Sequence, residues 1–324
     1  MNIVDALVLK KLKGVGDGSM TKLLEFTSNQ GINTLEDLAQ IGAKNLPLRR
    51  LPNSLEEFIT AGEFDIARLA IEGELKDWSA QGITAIHRNE KQYPKQLLEL
   101  QDPPPFLFCK GNLSLLDDTR AIAVVGTRNN SDKGAVIATK TVEAFYTRKF
   151  TIVSGLAIGI DAIAHRAALD CGAPTIAVLV DLLKVSPARN KALADEILQK
   201  NGLLITENRP GTPTIAALFA KRDRIQAGLS TAVFAIETSR DGGTMHAVRA
   251  AGKMHRPVFV PDAIAARYND ITLEVIQGTQ YLIERGEARP YTSAFYESIS
   301  EELVGISQRL KTAGTSEIQE GLPL

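Results

Sequence analysis

The sequence predicts an α/β protein built on a doubly wound, mainly parallel sheet with an N-terminal α-helical domain. From Ala121 onward, six apolar runs of strand length (AIAVVG, FTIVSG, TIAVLV, GLLITE, TAVFAIE and RPVFVPD) alternate with stretches of helical periodicity, the pattern of parallel strands joined by helical crossovers. The runs are nearly continuous, as strands buried on both faces are. Upstream, residues 1–81 carry helical spacing alone, and Pro103, Pro104 and Pro105 interrupt the chain between the two patterns, because proline cannot lie inside a helix.

Taken in order, NIVDALVLKKLKGV and MTKLLEFTSN place apolar residues at helical spacing on either side of KGVGDGS, and TLEDLAQIG, SLEEFIT and EFDIARLAIEGELKDWSAQG continue in the same way. The helix, glycine turn, helix order resembles a helix-hairpin-helix, whose exposed amides hold a nucleic-acid phosphate. A plain interhelical turn explains it more simply, since Asp17 stands there without a basic companion in the turn. The expected boundaries are 1–81 for the helical (helix-hairpin-helix or SAM-like) domain, 82–290 for a Rossmann-like sheet domain and 291–324 for one amphipathic helix with a polar tail.

Composition sets the outer limits. The 324 residues are 44% apolar and 23% charged, with a net charge of −1, an ordinary globular balance with material for more than one core. Residues 121–262 hold 18 Lys and Arg against 12 Asp and Glu, with acidic stretches on both sides, which suits an anionic partner without requiring one. No apolar run approaches the roughly 18 residues of a membrane span, and the first residues lack the pattern of a secretory signal. A cytoplasmic protein without a membrane partner is expected. Cys109 and Cys171 lie far apart and form neither a disulfide framework nor a CxxC metal site; both read as small buried hydrophobes.

In a doubly wound sheet, ligands bind beyond the carboxyl ends of the strands. The first strand is followed by GTRNNSDKG, where Gly126 permits a tight turn and Arg128, Asn129, Ser131 and Lys133 offer donors. The second is followed by SGLAIGID, where Ser154, Gly155 and Gly159 let the backbone approach an anion at a helix N-terminus. TENRPGTP and ETSRDGGT close later strands with the same residue types. A phosphate-binding rim accounts for all four loops, although turns and helix caps use these residues too. His165 stands one helical turn after Asp161, which could make a catalytic pair or only shape the loop. Lys221, Arg222 and Arg224 spread over a wide arc of one helix that Phe219, Ile225 and Leu229 would fix in the core. No GxxxxGK[ST], no GxGxxG after the first strand, no GxSxG and no HExxH occur, so no catalytic set, cofactor or metal is expected.

These residues resemble the DprA/Smf DNA-processing proteins, part of the SLOG superfamily of Rossmann-like domains. AIAVVGTRNNSDKG is similar to the family's VGSR…S.YG at Gly126, Arg128, Ser131 and Gly134. IVSGLAIGIDAIAHRAAL follows its VSGLARGIDAAAHRAAL almost throughout, at Ser154, Gly155, Gly159, Asp161 and His165. FAKRDRIQAGLS is similar to FPRRNRIIAGLS, YPKQLLELQDPPPFLFCKGN to YP..L..L.DPP..LY.KG, and ITLEVIQGTQYLI loosely to the family's final strand region. The resemblance implies a single-stranded-DNA binder, not an enzyme, that acts in DNA uptake and recombination, helps load a RecA-type recombinase and forms a homodimer. It also implies that Arg128, Arg222 and Arg224 hold the DNA backbone beside the Gly126 and Gly155 loops.

The departures cluster around that pocket. LVDLLKVSPARN keeps only Pro187 and Asn190 of the family's GLD..YP..N, Asp223 replaces the asparagine of RNR, Ala220 replaces a proline, and SRDGGTMHAVRAA replaces SGSLITA..A. DGGTMHAV is similar to the GGxGT loop of nucleotide phosphoribohydrolases but lacks the glutamate that should follow. A nucleotide-binding or nucleotide-cleaving SLOG protein is therefore the alternative expectation.

Overall fold

Asn2 starts the chain's first helix by accepting the Asp5 amide at 2.8 Å, and Asp5 then ties several helices together. This carboxylate is fully buried. It takes Arg68 Nε at 2.7 Å, Arg68 Nη2 at 3.1 Å and the Leu35 amide at 3.1 Å, so it links α1 (Ile3–Lys11), α3 (Leu35–Ile41) and α5 (Asp65–Ala80). The other helices of this unit are α2 (Asp17–Asn29) and α4 (Asn53–Ala61). Thr34 and Asp37 form a capping box at the start of α3, satisfying amides that the helix itself leaves open. Leu7, Leu9, Met20, Leu24, Leu35 and Leu38 fill the interior. Asp17 does have a basic partner: Lys10 reaches it across the turn at 2.7 Å, a pairing hidden by looking for the cation inside the turn.

The computed structural model describes residues 1–268 and 274–319. It divides into one unit of Met1–Tyr93 with Asp102–Cys109 and another of Pro94–Gln101 with Lys110–Leu324. The first therefore also takes in β1 (Ile83–His87) and the opening of β2 (Phe106–Gly111), where Trp78 packs edge-on against Phe108 at 5.3 Å.

The second unit alternates β3 (Ala121–Val125), α6 (Asp132–Tyr146), β4 (Thr151–Ser154), α7 (Ile160–Cys171), β5 (Thr175–Val178), α8 (Lys191–Gln199), β6 (Leu203–Thr206), α9 (Ala216–Gly228), β7 (Ala232–Ala235), α10 (Met245–Lys253) and β8 (Val258–Pro261). It ends in α11 (Glu274–Glu284), β9 (Arg289–Tyr291) and α12 (Tyr296–Gln319). Its strands run in the order β6-β5-β4-β3-β7-β8-β9, and each neighbouring pair is parallel. Ile122 and Val124 point to the face packed by Val142, Phe145 and Ile160, while Ala123 and Val125 point to the face packed by Met245 and Val248. The two-residue period thus feeds two cores from one strand. The chain steps outward from β3 through β6, then returns to the other side of β3 with β7. That reversal puts a topological switch point between β3 and β7.

One expectation changes here. The described part of ITLEVIQGTQYLI is helix α11, because Ile276, Thr279 and Leu282 are buried at three-residue spacing, which suits a helix face and not a strand; residues 271–273 lie outside the described residues. The final strand is instead β9, a three-residue piece paired with β8. In the C-terminal helix, Ile299 and Leu303 of α12 belong to the core that contains Phe145 and Phe234. Helix α12 runs to Gln319, and the rest of the expected tail, residues 320–324, lies outside the described residues. No helix among the described residues is long and apolar enough to cross a membrane.

Candidate functional site

A cavity of about 360 Å³ opens at the switch point. Gly126, Thr127 and Arg128 line it after β3, Ala157 and Asp161 after β4, Thr238, Ser239, Gly242, Gly243 and Thr244 after β7, and Phe219, Arg222, Asp223 and Gln226 from α9. Arg128 is exposed, with its guanidinium carbon 5.5 Å from the Phe219 ring centre, within reach of a cation–π attraction. Phe219, expected in the core, is instead a half-buried wall of this cavity, since α9 turns its Ile225 side inward.

The glycines shape the site by what they leave room for. A side chain on Gly155 would overlap the Arg222 guanidinium. The Gly155 amide donates to Asp161 Oδ2 at 3.2 Å, as the Ala157 amide does at 3.3 Å, so these two N–H groups hold a carboxylate belonging to the protein. A side chain on Gly126 would strike Ile160, and Gly159, at φ +83°, brings the start of α7 against the Thr127 and Arg128 backbone, a conformation that only glycine adopts without strain.

Arg222 is only 4% exposed, with Nη1 donating to the Val178 carbonyl at 3.0 Å. Its Nη2 is 3.8 Å from Asp161 and its Nε 3.2 Å from Asp223 Oδ1. Burial pushes the Asp161 carboxyl up, and Arg222 opposes the shift. Arg224 points elsewhere: both of its terminal nitrogens meet Glu207 at 2.8 Å, and Lys221 reaches the same carboxylate at 3.1 Å. Ser154 is buried and donates to the Val124 carbonyl at 2.7 Å. Ser131 caps α6 and donates to Glu237 at 2.5 Å. Lys133 is exposed on the first turn of α6 and does not line the cavity. The structure thus brings Gly126, Arg128 and Arg222 together and directs Ser131, Ser154 and Arg224 to partners within the protein.

Asp161 and His165 share no hydrogen bond. His165 Nδ1 meets Thr175 Oγ1 at 2.8 Å, and that hydroxyl donates to the Ile152 carbonyl, which makes Nδ1–H the donor. Burial, followed by Arg222, lowers the imidazole pKa to about 3. A neutral ring wedged between α7 and β5 is the result. Among the described residues, no three His, Cys, Asp or Glu side chains gather as metal ligands. Cys109 is buried, but Cys171 is only partly so.

The family model for DNA recombination-mediator protein A matches residues 84–303, from the first strand into the last helix. The chain belongs to that family. It is 34% identical over 205 residues to DNA processing protein DprA of Bacillus subtilis, covering 63% of this chain and 69% of that protein. It is 39% identical over 168 residues to protein Smf of Escherichia coli, covering 52% of this chain and 45% of the relative. The X-ray structure of DNA processing protein A from Streptococcus pneumoniae superposes with a TM-score of 0.76 at 31% identity, over 91% of this chain and 96% of that one. DNA processing protein A from Helicobacter pylori, described for its single-stranded-DNA binding mode, gives a TM-score of 0.58 at 27% identity over 69% of this chain and 96% of its own.

In this member of the recombination-mediator family, Glu237 is the residue that sequence reading passed over. It lies two residues beyond the end of β7, is fully buried, and accepts the Ser131 amide at 2.9 Å, the Ser131 hydroxyl and the Tyr268 hydroxyl at 2.8 Å. This braces the Arg128 loop against β7. A charged residue ending the apolar run TAVFAIE was the available signal. Asn190, one of the two retained family positions in its loop, donates to the Leu156 carbonyl at 2.9 Å, and Asp181 accepts the Leu183, Lys184 and Gly211 amides. Both brace neighbouring loops.

Proposed function

We infer that this chain is a single-stranded-DNA-binding DNA-processing protein, with no catalysis of its own, that acts in DNA uptake or recombination by helping to load a RecA-type recombinase. The carrying observation is Arg128, an exposed guanidinium over an aromatic ring at the mouth of a cavity at the sheet's switch point. A planar cation suits a backbone phosphate, which it meets through two oxygens at once, and the neighbouring Phe219 ring offers a face to a base. The basic excess of residues 121–262 and a relative described for single-stranded-DNA binding favour the same reading.

Arg128→Ala is expected to weaken binding of a labelled oligonucleotide about tenfold in anisotropy titrations, and to make the log-affinity against log-salt slope shallower by about one. Equal affinity and slope in the two proteins would remove Arg128 from the interface. The recombinase part is tested by filament nucleation on DNA already covered by single-strand-binding protein: a shortened lag is expected, and an unchanged lag refutes loading.

A further inference from the structure

The geometry points to Asp223 as a base-selecting residue: the cavity takes one guanine of a single strand, with the Asp223 carboxylate on its Watson–Crick edge and the ring against Phe219. This rests on the single-stranded-DNA reading above and adds a base preference to it.

A phosphate brings only acceptors, and part of this cavity is built of acceptors. Asp223 lies on the cavity wall with its side chain 16% exposed. Its Oδ1 receives Gln226 Nε2 at 2.9 Å and lies 3.2 Å from Arg222 Nε, while no described residue donates to Oδ2. Gln226, 1% exposed, also lines the cavity. Because its Nε2 is committed to Asp223, its orientation is fixed and Oε1 is left buried without a donor, a cost unless a ligand supplies one. A carboxylate here also opposes the charge of Arg128 and Arg222, which a site serving phosphate alone would not do.

The partner that such a wall fits brings adjacent N–H groups and a flat ring. Guanine carries N1–H and N2–H₂ side by side, matching the two oxygens of a carboxylate; thymine offers one ring N–H, and adenine and cytosine one amino group each. Phe219 supplies the stacking face, and Arg128 above it can hold the adjoining phosphate. Sites that hydrogen-bond a donor edge reject analogues lacking it, because the buried acceptors are then left unpaired.

The test is competition anisotropy at pH 8 with the full chain. A labelled oligothymidine is displaced by unlabelled oligothymidines that are all-thymine or carry one central guanine, inosine, adenine or cytosine. A single guanine is expected to bind about tenfold tighter than the other natural bases, and inosine, which lacks the N2 amine, to fall between. Asp223→Asn is expected to bring guanine within about twofold of thymine while all-thymine binding persists, and Gln226→Leu to lower the preference in the same direction. Binding of all five strands within about twofold by the unmodified protein overturns the inference and leaves the single-stranded-DNA reading standing; a guanine preference unchanged in Asp223→Asn also overturns it. Failure to bind any strand at low salt overturns both.

Discussion

Replacing Arg222 with methionine is expected to destabilise the protein by about 3–5 kcal/mol, seen as a lower urea midpoint at unchanged slope. Methionine keeps most of the volume, so the effect is that of the lost charge together with the hydrogen bond to the Val178 carbonyl. Arg222 is 4% exposed and stands between Asp161 and Asp223. Without it, two poorly solvated carboxylates face each other with no cation between them. Removing one partner from a buried charge group costs far more than the group contributes when intact. The penalty has a sign in pH: uncompensated carboxyls take up protons more readily, so the variant should regain stability relative to the parent as pH falls. Equal midpoints at neutral pH would show that the two carboxylates do not depend on the Arg222 charge for their tolerance in the fold.

Asp223→Asn is expected to act in the opposite direction, stabilising the protein at pH 8 and leaving it unchanged near pH 4. Burial pushes the Asp223 carboxyl up to about 7, with Arg222 and Arg128 opposing the shift and Asp161 adding to it. Arg222 and Gln226 approach Asp223 from its own helix, Asp161 from α7, Arg128 from the loop after β3, and His246 lines the same cavity from α10. An acid whose folded pKa lies above its unfolded value of about 4 keeps its proton in the folded state over the window between them. Its contribution is fully present below about pH 4 and is lost as pH rises toward 7. The gap between variant and parent should therefore open across that window, to a limit on the order of 2–4 kcal/mol, and stay constant above it. Urea unfolding at several pH values reads it directly, and parallel stability curves would refute it.

The sheet was legible because its cause is local: apolar runs, their spacing and the glycines after them are all written within a few residues. Strand β9 was not, since RPY is too short to show a period. The site was legible in its loops but not in its pairings. Nothing near KRDR says that Arg224 will meet Glu207, seventeen residues earlier, while Arg222 turns inward. Nor does SGLAIGID reveal that Gly155 makes room for a guanidinium from α9. Donors in a loop can be read from sequence; which of them are already spent on the protein depends on strands that arrive later in the chain.

The parallel union of β3 with β7 has a further consequence for the growing polypeptide. Thr231, at the mouth of β7, donates to the Ala121 carbonyl across a separation of 110 residues, and the Glu237 brace on the Arg128 loop arrives with the same strand. A nascent chain released before Ala232 carries Arg128, both glycine loops and α9, yet has neither the far wall of the cavity nor the carboxylate that fixes its near one. The cavity is thus complete only once the central strand pair has closed.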